Sequence, residues 1–433
     1  MKRLRIAAVV TAVALSAGLT ACGGSSTPPA GTTEAPTGPV TITYLHRLPD
    51  GAGMTKVADI VKKWNDANPD IQVQTTKFDG KGPEMTNKLQ TDIQANNGPC
   101  LAQLSYNEVP DMYSKGLLVD VTQYANQYKS HFGGAFGQMT VGGVTVGLPQ
   151  DSGPLVYAYN ATAFQSLGIK VPTTLAEFET AAATAAAQGK YIADFTADEA
   201  GFWLSAQTAA AGGTWYSTAG DQWKVTANGA ASQTVATFWQ TMLDAKSVLT
   251  LDRWSDAYTK AITDGQLVGN ILAAWDVALI LPSGDATEGQ WRVAQVPDFG
   301  AGPMTGPNGG SGVAVMKGCP YAEQAMKFND WFNNQVDDLA TQGLVPASLT
   351  LAKTPATLLK QFGNQDVMAE FVKANGNLNK DFVYIPSFSA VVPDVVKTAA
   401  AVTAGTGSVA AVFDTAQTSS IAALQAANLP VAG

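Results

Sequence analysis

Val146-Gly147-Leu148-Pro149-Gln150-Asp151-Ser152-Gly153-Pro154-Leu155-Val156-Tyr157-Ala158-Tyr159-Asn160 is the stretch on which the fold turns. An apolar start leads into Pro-Gln-Asp-Ser-Gly-Pro, and the strand-forming run Leu-Val-Tyr-Ala-Tyr follows. Proline lacks a donor N–H, and glycine accepts backbone angles other residues avoid, so the middle reads as a break between strands. Two readings compete. In one, the break is a loop between strands of a single sheet. In the other, the chain passes here from one lobe to a second, and Gln150 and Asp151 face the cleft between them.

A chain of 433 residues is long for one ordinary core and suits two domains. Hydrophobic residues make up 46% and charged residues only 14%, so the surface is rich in amides and hydroxyls. The net charge of −9 and the lack of any basic block argue against nucleic acid and against a polybasic membrane surface.

Residues 1–21 read as an export signal. Lys2, Arg3 and Arg5 precede the apolar run Ile6–Leu19, which is short for a permanent span. Leu19-Thr20-Ala21-Cys22 resembles the lipobox of bacterial lipoproteins, which predicts a lipid on Cys22. Residues 22–39 hold no aliphatic side chain larger than alanine and read as a flexible tether. The body is therefore expected to be anchored to the membrane without spanning it. Outside the cytoplasm, the remaining cysteines, Cys100 and Cys319, are expected to form a disulfide, with two free thiols as the alternative. Such a bond would place both in one lobe.

Further along, strands are expected at 40–45, 71–78 and 101–106, with helices over 54–68 and 83–97 between them. This βαβαβ order implies parallel strands. Ligands bind beyond the carboxyl ends of such strands, where His46, Arg47, Asp50, Tyr106, Asn107 and Glu108 lie. Thr174-Leu-Ala-Glu177 is a capping box opening a helix. Strand-like residues 267–273 run into Ala274-Trp275-Asp276. A second Pro/Gly-rich passage, 297–312, precedes a strand at 313–316 and a helix lined by Ala325, Phe328 and Phe332. The chain is expected to leave lobe 1 near 150, return near 310, and cross again near 343–346. Lobe 1 is then 40–150 with 310–342, and lobe 2 is 151–309 with 343–433. Several crossings make a hinge.

Motifs for catalysis are absent. The two histidines, His46 and His131, belong to no metal pattern. Gly405-Thr-Gly-Ser-Val-Ala410 matches a dinucleotide-binding pattern but follows a helical run, so it reads as a helix break with Ser408 as the next cap. A hydrolytic carboxylate pair needs only to meet in space, and Asp151 with Glu108 or Asp276 would be the candidates. Among the tryptophans, Trp203, Trp215, Trp254 and Trp275 sit near breaks or polar residues. A flat apolar face beside a carboxylate suits a sugar, which favours Trp275-Asp276.

In this order the segments resemble extracellular solute-binding proteins of ABC importers, in the sugar-binding group that includes maltose-binding proteins. Tyr44–Asp50, Pro99 through Tyr106-Asn107-Glu108 to Leu118, Gly147–Asn160, Ala274-Trp275-Asp276 and Gly309-Gly310-Ser311-Gly312 carry the likeness. The resemblance implies an α/β, two-lobed periplasmic-binding-protein-like fold, each lobe a sheet flanked by helices. It implies a carbohydrate in the cleft, with Gly310 and Ser311 among its neighbours, and hinge closure onto it. It also implies delivery to ABC permease subunits, with no catalysis and no cofactor. The expected state is a monomer, lipid-anchored on the outer face of the cytoplasmic membrane. The alternatives are a non-sugar ligand (a polyol, phosphorylated polyol or peptide), a lipid-anchored glycoside hydrolase, and a structural envelope lipoprotein with no small ligand. A phosphate would need a basic cleft, for which Arg47 and Arg253 are the thin candidates.

Overall fold

The computed structural model describes residues 38–51, 54–80, 82–253, 255–280 and 285–432. The expected signal, Cys22 and nearly all of the tether lie outside the described residues.

The strands are β1 (Val40–His46), β2 (Ile71–Lys77), β3 (Leu101–Ser105), β4 (Thr140–Val141), β5 (Val144–Thr145), β6 (Gly147–Asn160), β7 (Tyr216–Ala219), β8 (Gln222–Val225), β9 (Gly269–Ala273), β10 (Trp291–Gln295) and β11 (Pro307–Val315). The pairs β4–β5 and β7–β8 are separate two-stranded units. The other seven make one sheet, in the order β10-β6-β11-β3-β1-β2, with β9 also on β6.

As expected, β1 runs parallel to both β2 and β3. The helix after β1 spans Val57–Ala67 and buries Val57, Ile60, Val61 and Trp64, one apolar stripe at helical spacing. It begins later than the periodicity suggests because the Asp50 carboxylate accepts the Val57 N–H at 2.9 Å and fixes the start. Thr174 caps its helix by accepting from the Glu177 N–H at 3.3 Å. The reciprocal bond goes one residue upstream, with Glu177 accepting from the Thr173 N–H at 2.8 Å. Ser408 caps the helix Val409–Ala426, as the break reading requires.

The deciding stretch differs from its sequence reading. Residues 147–160 form one strand of 14 residues, not two strands around a break. Its first half pairs with β11, and its second half lies between β9 and β10. The prolines are tolerated because the β6–β11 ladder shifts register near them. Pro149 and Pro154 fall at those irregularities, where no regular N–H is demanded. For the same reason β11 reaches back to Pro307, through a passage the sequence suggests is loop. Gly309 and Gly310 take positive φ values of 78° and 105° there, which only glycine adopts cheaply.

A third segment lies along the other side of β6. Ser152 N–H donates to the Val345 carbonyl at 2.9 Å, and Ala347 N–H to the Gln150 carbonyl at 3.0 Å. Residues 150–152 are therefore flanked by β11 and by 345–347.

One apolar cluster gathers β1, β3 and the helices Val57–Ala67 and Ala322–Asn333; another gathers β9, β10, the second half of β6 and the helix Val367–Gly376. A third, larger cluster runs from Leu104 and Met112 through Tyr157 to Trp239 and Phe413. The described residues from Pro39 onward form one compact unit. Cys100 and Cys319 are joined by a disulfide across 219 positions. Among the described residues no helix is long and apolar enough to cross a membrane.

Candidate functional site

Two aromatic side chains meet the crossing strands from opposite groups of strands. Tyr106 follows β3; its hydroxyl donates to the Asp151 carbonyl at 2.7 Å. Its ring closes on Gly310, where an added Cβ would come within 2.6 Å of it. Trp275 follows β9; its indole N–H donates to the Asn308 carbonyl at 2.8 Å. Its ring rests on Gly153 and Gly309, and a Cβ at Gly153 would approach it to 2.8 Å. The glycines are needed here because the rings lie directly on backbone. Tyr106 is buried, and Trp275 is partly open.

Charged groups frame these rings. Arg47, just past β1, donates to Glu108 at 3.0 Å and to the Ser105 hydroxyl at 3.1 Å. Gly82 packs so closely on this pair that a Cβ would fall 2.4 Å from Glu108 and 2.5 Å from Arg47. Asp151 accepts from the Ser311 hydroxyl. Burial raises the Asp151 carboxyl to about 6, although the Ser311 bonds and Arg47 pull the other way. Beside Trp275, Arg253 donates to Asp276 at 2.5 Å and to Glu199 at 2.6 Å. Its guanidinium carbon lies 5.1 Å from the centre of the Trp275 ring. Burial raises Asp276 to about 7 against the pull of Arg253. The second Asp276 oxygen is buried without a hydrogen-bond partner.

The structure thus brings together Arg47, Tyr106, Glu108, Asp151, Gly310 and Ser311 on one side, and Trp275 and Asp276 on the other. Asn107 is partly exposed beside Tyr106. Four sequence-named residues are spent elsewhere. The His46 ring is buried and accepts from the Leu48 N–H at 3.3 Å, and burial lowers it to about 4. Asp50 is tied to Val57 and to the Gln342 amide at 2.7 Å. Gln150 is fully buried, donating to Tyr44 and Asn333 at 3.1 Å each, so its side chain faces the core. Trp203 is a core residue: it donates to the Ile271 carbonyl at 2.9 Å and packs against Trp239 at 4.7 Å. Its polar neighbours in sequence are misleading, because its burying partners are distant in the chain.

Two residues, Glu199 and Tyr384, escaped sequence reasoning, and Arg253 was named only as a thin candidate for phosphate. Glu199 and Arg253 frame Trp275. Tyr384 turns a buried hydroxyl towards Gly309 with no hydrogen-bond partner of good geometry. The acidic Asp198-Glu199 pair at a helix start was the available signal for Glu199. A groove of about 1310 Å³, lined by Phe136, Thr140, Trp223, Met304 and Asn379 among others, shares Tyr384 with this site. It includes none of the residues named from sequence. Its Lys129, Lys380 and Asp381 are exposed, and Asn379 is spent on the Ala209 and Gly213 carbonyls. The paired aromatics and buried carboxylates therefore mark the better candidate.

Crossing strands with aromatic and acidic groups gathered over them define a solute-binding architecture. The chain belongs to the bacterial extracellular solute-binding protein family, whose profile matches residues 59–361. It is similar to the galacto-N-biose/lacto-N-biose I-binding protein of an ABC transporter from Bifidobacterium longum, solved with lacto-N-biose. That likeness has 49% identity and a TM-score of 0.81, over 92% of this chain and 100% of the other. It shares its fold with the cyclic α-maltosyl-1,6-maltose binding protein of Arthrobacter globiformis (20% identity, TM-score 0.72, 90% of this chain and 100% of the other). The same holds for the sugar-binding protein MalE of Xanthomonas citri (17% identity, TM-score 0.73, 90% and 98%). No curated protein matches the chain. The fold is the two-lobed α/β architecture of periplasmic binding proteins, a sheet flanked by helices.

Proposed function

We propose that the chain is a lipid-anchored binding protein that captures a small carbohydrate and delivers it, unaltered, to an ABC permease. The lobes are 40–150 with 310–342, and 151–309 with 343–433; β6, β11 and 345–347 form the hinge. The observation that carries this reading is the placing of Tyr106 and Trp275 on either side of the crossing at Gly153, Gly309 and Gly310. An aromatic face takes the C–H side of a pyranose, while carboxylates take its hydroxyls. The similarity to the Bifidobacterium longum protein points to a disaccharide of the lacto-N-biose class.

Charge separates this from a phosphorylated ligand. Arg47 is paired with Glu108, and Arg253 with Asp276 and Glu199. Neither cation is left to neutralise a phosphate, and Asp151 adds an acid. A thermal-shift screen of sugars with product analysis tests the proposal. Stabilisation by a sugar recovered intact supports it. Cleavage of the sugar would make the protein a hydrolase, and stabilisation only by phosphorylated compounds would reject the neutral-sugar reading.

A further inference from the structure

We propose that Arg253 is a positioning residue of the cleft, locking the Trp275 indole and the Glu199 carboxylate into one unit. A sugar then meets a flat apolar face and an oriented acceptor held in fixed relation. This rests on the carbohydrate-binding reading above.

The guanidinium is a planar fork with several donors, which a lysine ammonium cannot reproduce. Here one branch goes to Asp276 at 2.5 Å and the other to Glu199 at 2.6 Å. The same group lies by the Trp275 ring, 5.1 Å from its centre, where a cation is attracted to the π face. The Arg253 backbone N–H donates to Asp198 at 3.2 Å, which fixes the base of the side chain. Asp276 is almost wholly enclosed and serves as the anchor. The Glu199 side chain is 25% exposed and engages Arg253 through one oxygen only. Its other oxygen makes no hydrogen bond among the described residues and is available to a hydroxyl. With Arg253 in place, neither Glu199 nor Trp275 has to be ordered when the ligand arrives, and ordering side chains is part of what binding costs.

The test uses Arg253→Lys, Glu199→Gln and the double variant, titrated with lacto-N-biose by calorimetry. Arg253→Lys keeps a cation beside Asp276, so folding is preserved; thermal melts check this. The expected result is roughly tenfold weaker binding in each single variant. The double variant should bind more weakly than Glu199→Gln, but by clearly less than the two single losses multiplied, because Arg253 acts partly through Glu199 and partly through Trp275. Independent, additive losses would overturn the proposal, as would unchanged affinity in Arg253→Lys. A second readout needs no sugar: the Trp275 fluorescence, isolated by subtracting the spectrum of a matched Trp275→Phe protein. Acrylamide should quench it more readily in Arg253→Lys than in wild type; equal quenching would reject the positioning role. If wild type fails to bind lacto-N-biose, the ligand assignment falls, and quenching alone decides the role of Arg253.

Discussion

The Tyr106 hydroxyl donates to the backbone carbonyl of Asp151 at 2.7 Å, linking the end of β3 to the middle of β6. This bond places the aromatic ring on Gly310 and leaves the Asp151 carboxylate to Ser311. One interaction thus orders an apolar face and an acid at the point where the strands cross.

Gly310→Ala should damage both stability and binding. Its φ is 105°, and the added methyl would lie 2.6 Å from the Tyr106 ring and 2.9 Å from the Asp151 carbonyl. A residue forced into such a conformation costs about 1–3 kcal/mol. Denaturant melts should show a loss of at least that size, accompanied by weaker sugar affinity.

Trp203 and Trp275, both named from sequence, should behave differently. Trp203→Ala should cost about 3–5 kcal/mol of stability, as expected for emptying a core site. Trp203→Phe, which keeps most of the volume, should leave sugar affinity within about twofold; a larger loss would mean that Trp203 acts on the ligand. Parallel melts and titrations of these proteins and Trp275→Ala make the comparison.

The disulfide should support the fold and not the site. It joins Cys100, just before β3, to Cys319, whereas Tyr106 lies beyond the opposite end of that strand. Closing so long a loop stabilises on the order of 5 kcal/mol in the chain-entropy account. Cys100→Ser/Cys319→Ser should melt well below wild type yet bind the same sugar with similar affinity at low temperature. Lost binding by a folded double variant would contradict this division.

Stability should respond to pH through buried acids. Burial raises Asp151 to about 6, and Asp194 and Asp276 each to about 7, from an ordinary value of 3.8. Between pH 4 and 7 the folded chain holds more protons on these groups than the unfolded chain. Their contribution therefore falls as pH rises through that window. His46, lowered from 6.5 to about 4, works in the opposite direction over its own interval. Asp276→Asn should flatten the decline in melting temperature between pH 5 and 7.5; an unchanged slope would show that Asp276 does not carry it.

The parallel strands β1 to β3 were legible because alternation and helical periodicity are local properties, and Tyr106 and Glu108 follow from a general rule about strand ends. Pro149 and Pro154 hid the continuity of β6, since bulges that accommodate proline depend on the neighbouring strand. Trp203 was misplaced for a related reason: Trp239 and the Ile271 carbonyl bury it from far along the chain. Arg253 looked like a thin candidate for phosphate until its two carboxylate partners were visible. The backbone at Asp151 lies between β11 and residues 345–347, while the adjacent Gln150 side chain faces Tyr44, as alternation along a strand requires.

The most direct measurement is calorimetric titration of lacto-N-biose into the wild-type protein beside Trp275→Ala. The account predicts one-to-one binding to wild type and at least tenfold weaker binding to the variant, with the sugar recovered unchanged. Equal affinities in the two proteins, or no binding to wild type, would contradict it.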